Sequence, residues 1–168
     1  MTHSFSTRCA DLAARLQTLP DKPQETPEAT LQVLWHLAAG QALSIEAAHE
    51  TARPALTEAA EQRLDEFINQ RLSGTPLAHL SGRQRFMGLE MLAGPEALIP
   101  RRETELLART ALALLRAMPG AALHVVDVCT GSGNLALALA HHEPRAQVAA
   151  ADLSEDAVAL AARNAQHL

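Results

Sequence analysis

The stretch from Leu123 to Ala136 restricts the fold of this chain more than any other. It opens with a valine-rich run typical of a buried strand, passes through the turn sequence Cys-Thr-Gly-Ser-Gly, and ends in an alanine- and leucine-rich run typical of a helix. A second strand is predicted at 147–151 and a second helix at 154–166. Strands that alternate with helices in this way pair in parallel, through right-handed crossovers. This half of the chain is therefore predicted to be α/β.

The glycine turn also predicts a ligand site. A strand that runs through such a turn into a helix brings backbone N–H groups to the end of the strand, where they can bind a ligand. Gly131 and Gly133 carry no β-carbon that would hold a ligand away. Asp152 follows Gly131 by 21 positions, at the end of the second predicted strand. A carboxylate there can accept hydrogen bonds from both hydroxyls of a ribose.

Asp127 distinguishes between the cofactors that such a turn could bind. The spacing of Gly131, Gly133 and Ala136 also fits the dinucleotide fingerprint, but a carboxylate four positions before the first glycine would repel a pyrophosphate. It suits S-adenosylmethionine, which has a sulfonium and an ammonium group, a ribose and no phosphate. A nicotinamide oxidoreductase is accordingly disfavoured. The alternative without function is a turn that only joins strand to helix, with Asp127 capping the helix or lying at the surface.

The first 75 residues are predicted to form a small all-helical domain. Apolar residues recur at helical spacing from Phe5 to Leu19, and three more helices are predicted, starting at Thr26, Ser44 and Thr57. With 34 Ala and 27 Leu against three Phe, one Trp and no Tyr, the core must be built from small aliphatic side chains. Glycines and prolines then punctuate residues 76–100, which are predicted to be a hairpin linker. A strand is predicted over 86–92, with residues 83–86 pairing with it or leading into it.

Residues 101–168 complete the predicted organisation. A helix over 104–118 precedes the two strand–helix pairs, so this region is interpreted as the N-terminal part of a Rossmann-like domain. Two parallel strands do not make a complete sheet of this kind, because such sheets typically have about four to six strands and are covered on both faces. The domain is therefore expected to be truncated at residue 168.

Charge and composition exclude several classes of protein. A net charge of −5 gives no basic footprint for binding nucleic acid directly. The two cysteines, Cys9 and Cys129, show no metal-ligand or disulfide spacing, and reduced thiols favour a cytoplasmic protein. The polar N-terminus does not resemble a signal peptide, and no apolar run is long enough to span a membrane. His141 and His142 are adjacent and point in different directions on a helix, so no metal site is expected.

The motifs together resemble one enzyme family. Asp127-Val-Cys-Thr-Gly-Ser-Gly133 is similar to the first motif of class I S-adenosylmethionine-dependent methyltransferases. Upstream, the order and spacing of three segments resemble the linker signature of the release-factor glutamine methyltransferases: Gly74-Thr-Pro-Leu-Ala-His-Leu-Ser-Gly82, Phe86-Met-Gly-Leu-Glu90, and Leu98-Ile-Pro-Arg-Arg-Glu-Thr-Glu-Leu-Leu107. The resemblance covers nearly the whole chain and is weakest over residues 1–73.

The resemblance implies methyl transfer from S-adenosylmethionine to the glutamine of the Gly-Gly-Gln loop of a peptide-chain release factor. It assigns the cofactor site to seven residues and marks two as a candidate substrate rim; the first set is Asp127, Cys129, Thr130, Gly131, Ser132, Gly133 and Asp152, and the second is Pro100 and Arg101. It also implies a helical domain that recognises the substrate, a cytoplasmic protein that is monomeric at full length, and no membrane partner.

The chain departs from the family pattern in one decisive respect. The family orients its substrate with an Asn-Pro-Pro-Tyr motif, and this sequence has no Tyr and no Asn-Pro pair. No catalytic residue is therefore assigned within the 168 residues, and the chain alone is predicted to be inactive. Cys129 and Arg102 stand where the family usually has glycine and proline.

Three alternatives remain open at this point. Two lie within the same chemistry: a ribosomal-protein glutamine methyltransferase, and an amino-group methyltransferase acting on nucleic acid. The third is of a different class, a non-catalytic module in which the helical domain and the hairpin bind a partner. The missing Asn-Pro-Pro-Tyr favours the binding module for this chain, whereas the glycine turn and Asp152 favour descent from an enzyme.

Overall fold

A computed structural model describes residues 4–168 as eight helices and four strands. In chain order they are α1 (Phe5–Arg15), α2 (Pro27–Ala38), α3 (Ile45–Glu50), α4 (Glu58–Leu72), α5 (Leu77–Ser81), β1 (Arg83–Phe86), β2 (Leu89–Leu92), α6 (Arg102–Ala117), β3 (Leu123–Val128), α7 (Asn134–His142), β4 (Ala146–Ala151) and α8 (Glu155–His167). The chain divides into two compact units, Met1–Gln84 and Arg85–Leu168. The mixed helix and strand architecture confirms the predicted α/β, Rossmann-like class.

The first unit is helical because each of its four longer helices starts at a residue whose side chain caps it. Ser4, Thr26, Ser44 and Thr57 each accept a hydrogen bond from the backbone N–H three positions later. The helices enclose one aliphatic core, which contains Leu12, Leu31, Val33, Leu34, Ala38, Ala48, Leu64, Ile68 and Leu77. No described helix is long and apolar enough to cross a membrane.

The predicted boundaries of this unit were wrong in two places. α1 ends at Arg15, four residues before the apolar pattern stops, and Leu19 is half exposed in the loop that follows. That loop is held by a buried ion pair between Glu25 and Arg71, 2.8 Å apart, which periodicity does not reveal. The short helix α5 was missed, because its five residues are too few to show a period.

The predicted hairpin is present as β1 and β2, but the strand predicted to start at residue 86 starts at Leu89. Met87 and Gly88 both have positive φ, 51° and 85°, and form the tight turn between the two strands. The Met87 N–H donates to Glu105 of α6, and its carbonyl lies 2.8 Å from Nε2 of His142 in α7. Phe86, Leu89 and Met91 pack with residues of the same two helices. The hairpin turn is therefore fixed to the second unit by packing and by hydrogen bonds.

β3 and β4 pair in parallel as predicted, with Asp127 opposite Ala150 and Val128 opposite Ala151. α7 packs against this sheet, and Leu123 and Asp127 of β3 are buried. The alternate positions face outward: Val126 is 68% exposed and Val128 70%. Parallel sheets are ordinarily covered on both faces. Here the face that carries Val126 and Val128 is exposed, which is unusual for apolar side chains of a parallel sheet.

Arg145 closes the C-terminal end of α6. Its guanidinium donates to the carbonyl oxygens of Leu115, Met118 and Gly120, at 3.0–3.1 Å, and to both carboxylate oxygens of the neighbouring Glu143. Leu115 lies in the last turn of α6, where carbonyls lack the usual donor four residues later, and Met118 and Gly120 follow the helix. One side chain thus satisfies the end of α6 and fixes the loop that leads into β4.

Candidate functional site

The glycine turn between β3 and α7 is built on three left-handed residues. Cys129, Gly131 and Gly133 have φ values of 64°, 57° and 83°. Glycine adopts this region freely, whereas a residue with a β-carbon is strained there by roughly 1–2 kcal/mol. Because every second residue from 129 to 133 is left-handed, the chain turns sharply from β3 into α7, whose N-cap is Gly133. A glycine at position 129 would adopt this conformation without strain, which the sequence alone did not reveal.

Gly131 and Gly133 have different surroundings in the turn. A β-carbon at Gly131 would meet only one atom within 4 Å, the β-carbon of Ala97 at 3.9 Å, so the space beside it is open. A β-carbon at Gly133 would lie 3.2 Å from both Ala161 and Leu137, in the packing between α7 and α8. The expectation that both glycines admit a ligand therefore fits Gly131, while Gly133 is required for close helix packing.

Asp152 bridges the ends of the two parallel strands. Its Oδ2 accepts a hydrogen bond from the Gly131 N–H at 2.8 Å, and its Oδ1 accepts one from the Ser154 N–H at 3.0 Å. The backbone N–H of Ser154, followed by that of Gly131, lowers the pKa of the Asp152 carboxyl. A carboxylate has about four lone-pair sites, so these bonds do not use all of its acceptor capacity. Asp152 is thus a fixed anion at the carboxyl end of β4 that can still accept a hydrogen bond from a ligand.

Asp127 is buried, neither at the surface nor capping a helix as the alternative interpretation required. Its Oδ2 accepts a hydrogen bond from the Thr130 hydroxyl at 2.6 Å, while the Thr130 N–H donates to the Ala151 carbonyl of β4 at 3.0 Å. No other side-chain hydrogen bond or ion pair of Asp127 is found within residues 4–168. Its Oδ1 is therefore available to a positively charged or hydrogen-bonding ligand.

The backbone N–H groups of the turn are mostly used within the protein. Those of Thr130, Gly131 and Gly133 bond to Ala151, Asp152 and Thr130 respectively. α7 has no side-chain cap, because its N-cap residue is a glycine. In its first turn, the N–H of Leu135 lacks an intrahelical partner, as in any helix, and can face a ligand.

The candidate substrate rim is exposed to different degrees. Pro100 is half-buried, and Arg101 is the exposed N-cap of α6, where its carbonyl accepts the Thr104 N–H at 3.0 Å. Ala97 of this linker lies beside Gly131, where a β-carbon on Gly131 would be 3.9 Å from that of Ala97, and the sequence did not indicate it. Two contacts were also not predicted from the sequence: Glu105 accepts the Met87 N–H, and Asn164 contacts the turn directly.

Neither Ala97 nor Asn164 carried a signal in the sequence. An alanine among 34 is inconspicuous, and a buried asparagine looks like any polar residue near the end of an amphipathic helix. Only the positions of β2 and α8 bring these residues to the turn. Among residues 4–168, no group of three His, Cys, Asp or Glu side chains is arranged to hold a metal ion.

Comparison with known proteins points to one chemistry. The family model described as "Methyltransferase small domain" matches residues 105–168, which include the glycine turn and Asp152. Release factor glutamine methyltransferases are similar over a longer stretch. That of Escherichia coli (strain K12) is 44% identical over 113 residues, which is 67% of this chain and 40% of the relative.

Two further relatives with the same name agree. The protein of Bordetella pertussis is 43% identical over 121 residues, 72% of this chain and 43% of the relative, and that of Moorella thermoacetica is 42% identical over 113 residues, 67% and 39%. The chain spans about two fifths of the length of the relatives it matches. Over two thirds of its length, the chain is a relative of the release factor glutamine methyltransferases.

Proposed function

We propose that this chain is part of an S-adenosylmethionine-dependent protein-glutamine methyltransferase, and that its substrate is a peptide-chain release factor. The observation that carries the proposal is the pairing of Asp152 with the Gly131 N–H beside the buried Asp127. Two carboxylates with free acceptor capacity thus flank a turn whose first glycine borders open space. The similarity to release factor glutamine methyltransferases supports the substrate class.

The residues present fit the proposed cofactor. Asp152 keeps acceptor capacity beside its backbone hydrogen bonds, which suits the hydroxyls of a ribose. Asp127 offers Oδ1 to an ammonium group, and within the described residues neither carboxylate is paired with an Arg or Lys. Gly131 and Cys129 lie on the exposed side of the turn, with Thr130 and Ser132 buried beneath them.

When bound, S-adenosylmethionine supplies a methyl group that its positive sulfonium makes electrophilic. The chain's own contribution is to orient. Asp152 and Asp127 hold charge at fixed positions, because both are tied to the backbone or to Thr130 by hydrogen bonds of 2.6–3.0 Å. Preorganised acceptors of this kind need no rearrangement when a ligand enters.

The proposed acceptor is the side-chain amide of the glutamine in a Gly-Gly-Gln loop. An amide nitrogen is a weak nucleophile because its lone pair is delocalised into the carbonyl, so the reaction depends on holding that nitrogen in line with the methyl group. The chain has no Asn-Pro-Pro-Tyr motif for this task. Pro100 and Arg101 are proposed as part of the rim that meets the release factor, since their linker reaches the turn at Ala97.

The proposal extends to organisation and setting. Residues 1–75 are proposed as a helical substrate-recognition domain, 76–100 as a hairpin linker and 101–168 as the N-terminal part of the methyltransferase domain. The full-length protein is proposed to act as a cytoplasmic monomer. Supporting this are the compact helical unit and the net charge of −5, which gives no electrostatic attraction to nucleic acid.

Binding of the substrate tests the proposal directly. The 168-residue chain is immobilised, and a bacterial peptide-chain release factor or a mixture of ribosomal proteins is passed over it. We expect saturable binding of the release factor, and weaker binding when Arg101→Ala is tested, with Arg109→Ala on the exposed side of α6 as the control. Preferential binding of a ribosomal protein, or no binding of the release factor, would overturn the proposed substrate.

A further inference from the structure

Asn164 makes the most extensive side-chain connection near the glycine turn. It lies in α8 and is fully buried. Its Oδ1 accepts the Leu92 N–H at 2.6 Å, and its Nδ2 donates to the carbonyls of Leu92, at 3.1 Å, and Ser132, at 2.9 Å. Both amide hydrogens are thus used, and both backbone groups of Leu92 are satisfied by one side chain.

The three bonds join elements that are distant in sequence. Leu92 is the last residue of β2, and the Asn164 amide pairs with it as a neighbouring strand would, with one donor and one acceptor. Ser132 is the residue between Gly131 and Gly133 in the turn, and its own side chain is buried and accepts a hydrogen bond from Asn134. Asn164 therefore fixes the end of the hairpin and the middle of the turn relative to one another.

The hydrogen bonds of Asn164 also affect the position of the linker segment that borders the open space beside Gly131. The chain that leaves Leu92 passes Glu96, which is paired with Arg163 of α8 at 2.6 Å, and reaches Ala97 beside Gly131. The Ser132 carbonyl held by Asn164 belongs to the peptide that joins Ser132 to Gly133. The same side chain thus fixes both the turn and the linker segment that borders the open space.

We propose that Asn164 is a positioning residue for the cofactor turn: by holding Leu92 and Ser132, it sets the separation between the linker segment 92–97 and the glycine turn. This inference rests on the proposed function, since it assumes that the turn binds S-adenosylmethionine. Only a side chain with two donors and an acceptor can make all three bonds, and a carboxylate of the same shape loses both donors.

The test compares Asn164→Asp and Asn164→Ala with two controls on the same helix. Asp156→Asn removes an exposed carboxylate, and Gln166→Ala removes an exposed amide. The affinity for S-adenosylmethionine is measured by calorimetry at a temperature where circular dichroism shows each variant fully folded, and the Gly131 and Gly133 amide signals are recorded by ¹H–¹⁵N NMR.

Both Asn164 variants are expected to bind S-adenosylmethionine at least roughly tenfold more weakly, with shifted Gly131 and Gly133 signals. The controls should bind like the wild type. A residue with only a structural role would lower the melting temperature and leave the affinity of the folded protein unchanged, and that result would overturn the proposal.

Two readouts separate the possible failures. If neither Asn164 variant folds, the Asn164 side-chain amide signals of the wild type are followed during titration; they should shift on saturation, and an unchanged signal contradicts the coupling. If the wild type does not bind S-adenosylmethionine, the proposed function fails. In that case the proposal that Asn164 positions the turn is still tested by NMR, and unchanged Gly131 and Gly133 signals in Asn164→Asp would overturn it.

Discussion

The Asp152 carboxylate accepts a hydrogen bond from the Gly131 backbone N–H at 2.8 Å, although the two residues lie 21 positions apart. The bond ties the end of β4 to the turn that follows β3, where the parallel register already places Val128 opposite Ala151. An acidic residue at this position therefore has two consequences. It fixes the turn in the absence of ligand, and it leaves a charged acceptor beside the open face of Gly131.

Replacing Asp152 tests its double role. Asp152→Asn leaves one acceptor oxygen for the two N–H donors of Gly131 and Ser154 and removes the charge. We expect the affinity for S-adenosylmethionine to fall roughly tenfold to hundredfold, since hydrogen bonds to charged groups are worth about 1.5–3 kcal/mol. Calorimetric titration measures this. Glu155→Gln, which neutralises an exposed carboxylate of α8, is the control, and an equal loss in both variants would contradict the assignment.

The two glycines of the turn should respond differently to alanine. Gly133→Ala places a β-carbon 3.2 Å from Ala161 and Leu137 and forces a left-handed conformation, so we expect a loss of stability of about 2–3 kcal/mol. Gly131→Ala meets open space and should lose only about 1 kcal/mol from its backbone strain, while binding of S-adenosylmethionine is impaired. Urea unfolding and calorimetry separate the effects; the reverse order of stabilities would refute this division.

Cys129 gives a prediction in the opposite direction. Its φ of 64° strains any residue with a β-carbon, so Cys129→Gly should raise the free energy of unfolding by up to about 1 kcal/mol after the backbone entropy of glycine is subtracted. Cys129→Ser keeps the β-carbon and removes the thiol. If the serine variant is stabilised as much as the glycine variant, the thiol and not the backbone is responsible.

The Glu143–Arg145 pair gives a pH dependence. The pKa of the Glu143 carboxyl is lowered, first by the side-chain hydrogen bond from Arg145 and then by the Arg145 backbone N–H. A lowered folded-state pKa contributes stability that is complete above the unfolded value of about 4.3 and is lost as the pH falls through that value toward the folded one. Melting temperatures of the wild type should therefore decline below about pH 5.

Glu143→Gln provides the comparison for that decline. It should be less stable than the wild type at pH 7, and the difference should shrink toward zero as the pH approaches 3. A difference in melting temperature that is independent of pH would show that the carboxylate charge is not what stabilises the end of α6.

The chain by itself is expected not to transfer methyl groups, because residues 1–168 contain no Asn-Pro-Pro-Tyr to orient an amide nitrogen. The measurement is incubation of the purified chain with isotopically labelled S-adenosylmethionine and a release factor, followed by mass spectrometry of the Gly-Gly-Gln peptide. A labelled glutamine would show that other residues can orient the substrate. Unlabelled glutamine together with measurable cofactor binding is the expected outcome.

Local signals made much of the fold predictable. Thr26 with Pro27, and Thr57 with the stripe through Leu64 and Ile68, mark α2 and α4 within a residue of their ends, because capping and periodicity act along the helix itself. The parallel pairing of β3 and β4 likewise follows from the strand–helix alternation. The turn at Met87 was not predictable, because methionine is atypical at positive φ and is held there by Glu105 and His142 from distant parts of the chain.

The residues of the candidate site also fall into two groups, those that a local motif predicts and those that only tertiary packing brings to the turn. The glycines and Asp152 share a motif with fixed spacing, so the sequence indicated them. Their separate roles did not follow, because the neighbours of Gly133 are set by how α8 packs. Asn164 and Ala97 were invisible for a related reason: each reaches the turn only after β2 and α8 have come together.

The most direct test of the whole account is a pair of calorimetric titrations of the 168-residue chain, one with S-adenosylmethionine and one with NAD. Asp127 and Asp152 beside an open glycine turn predict saturable binding of S-adenosylmethionine at one site, weakened by Asp152→Asn, and no comparable binding of NAD. Tight binding of NAD without a signal for S-adenosylmethionine would contradict the account.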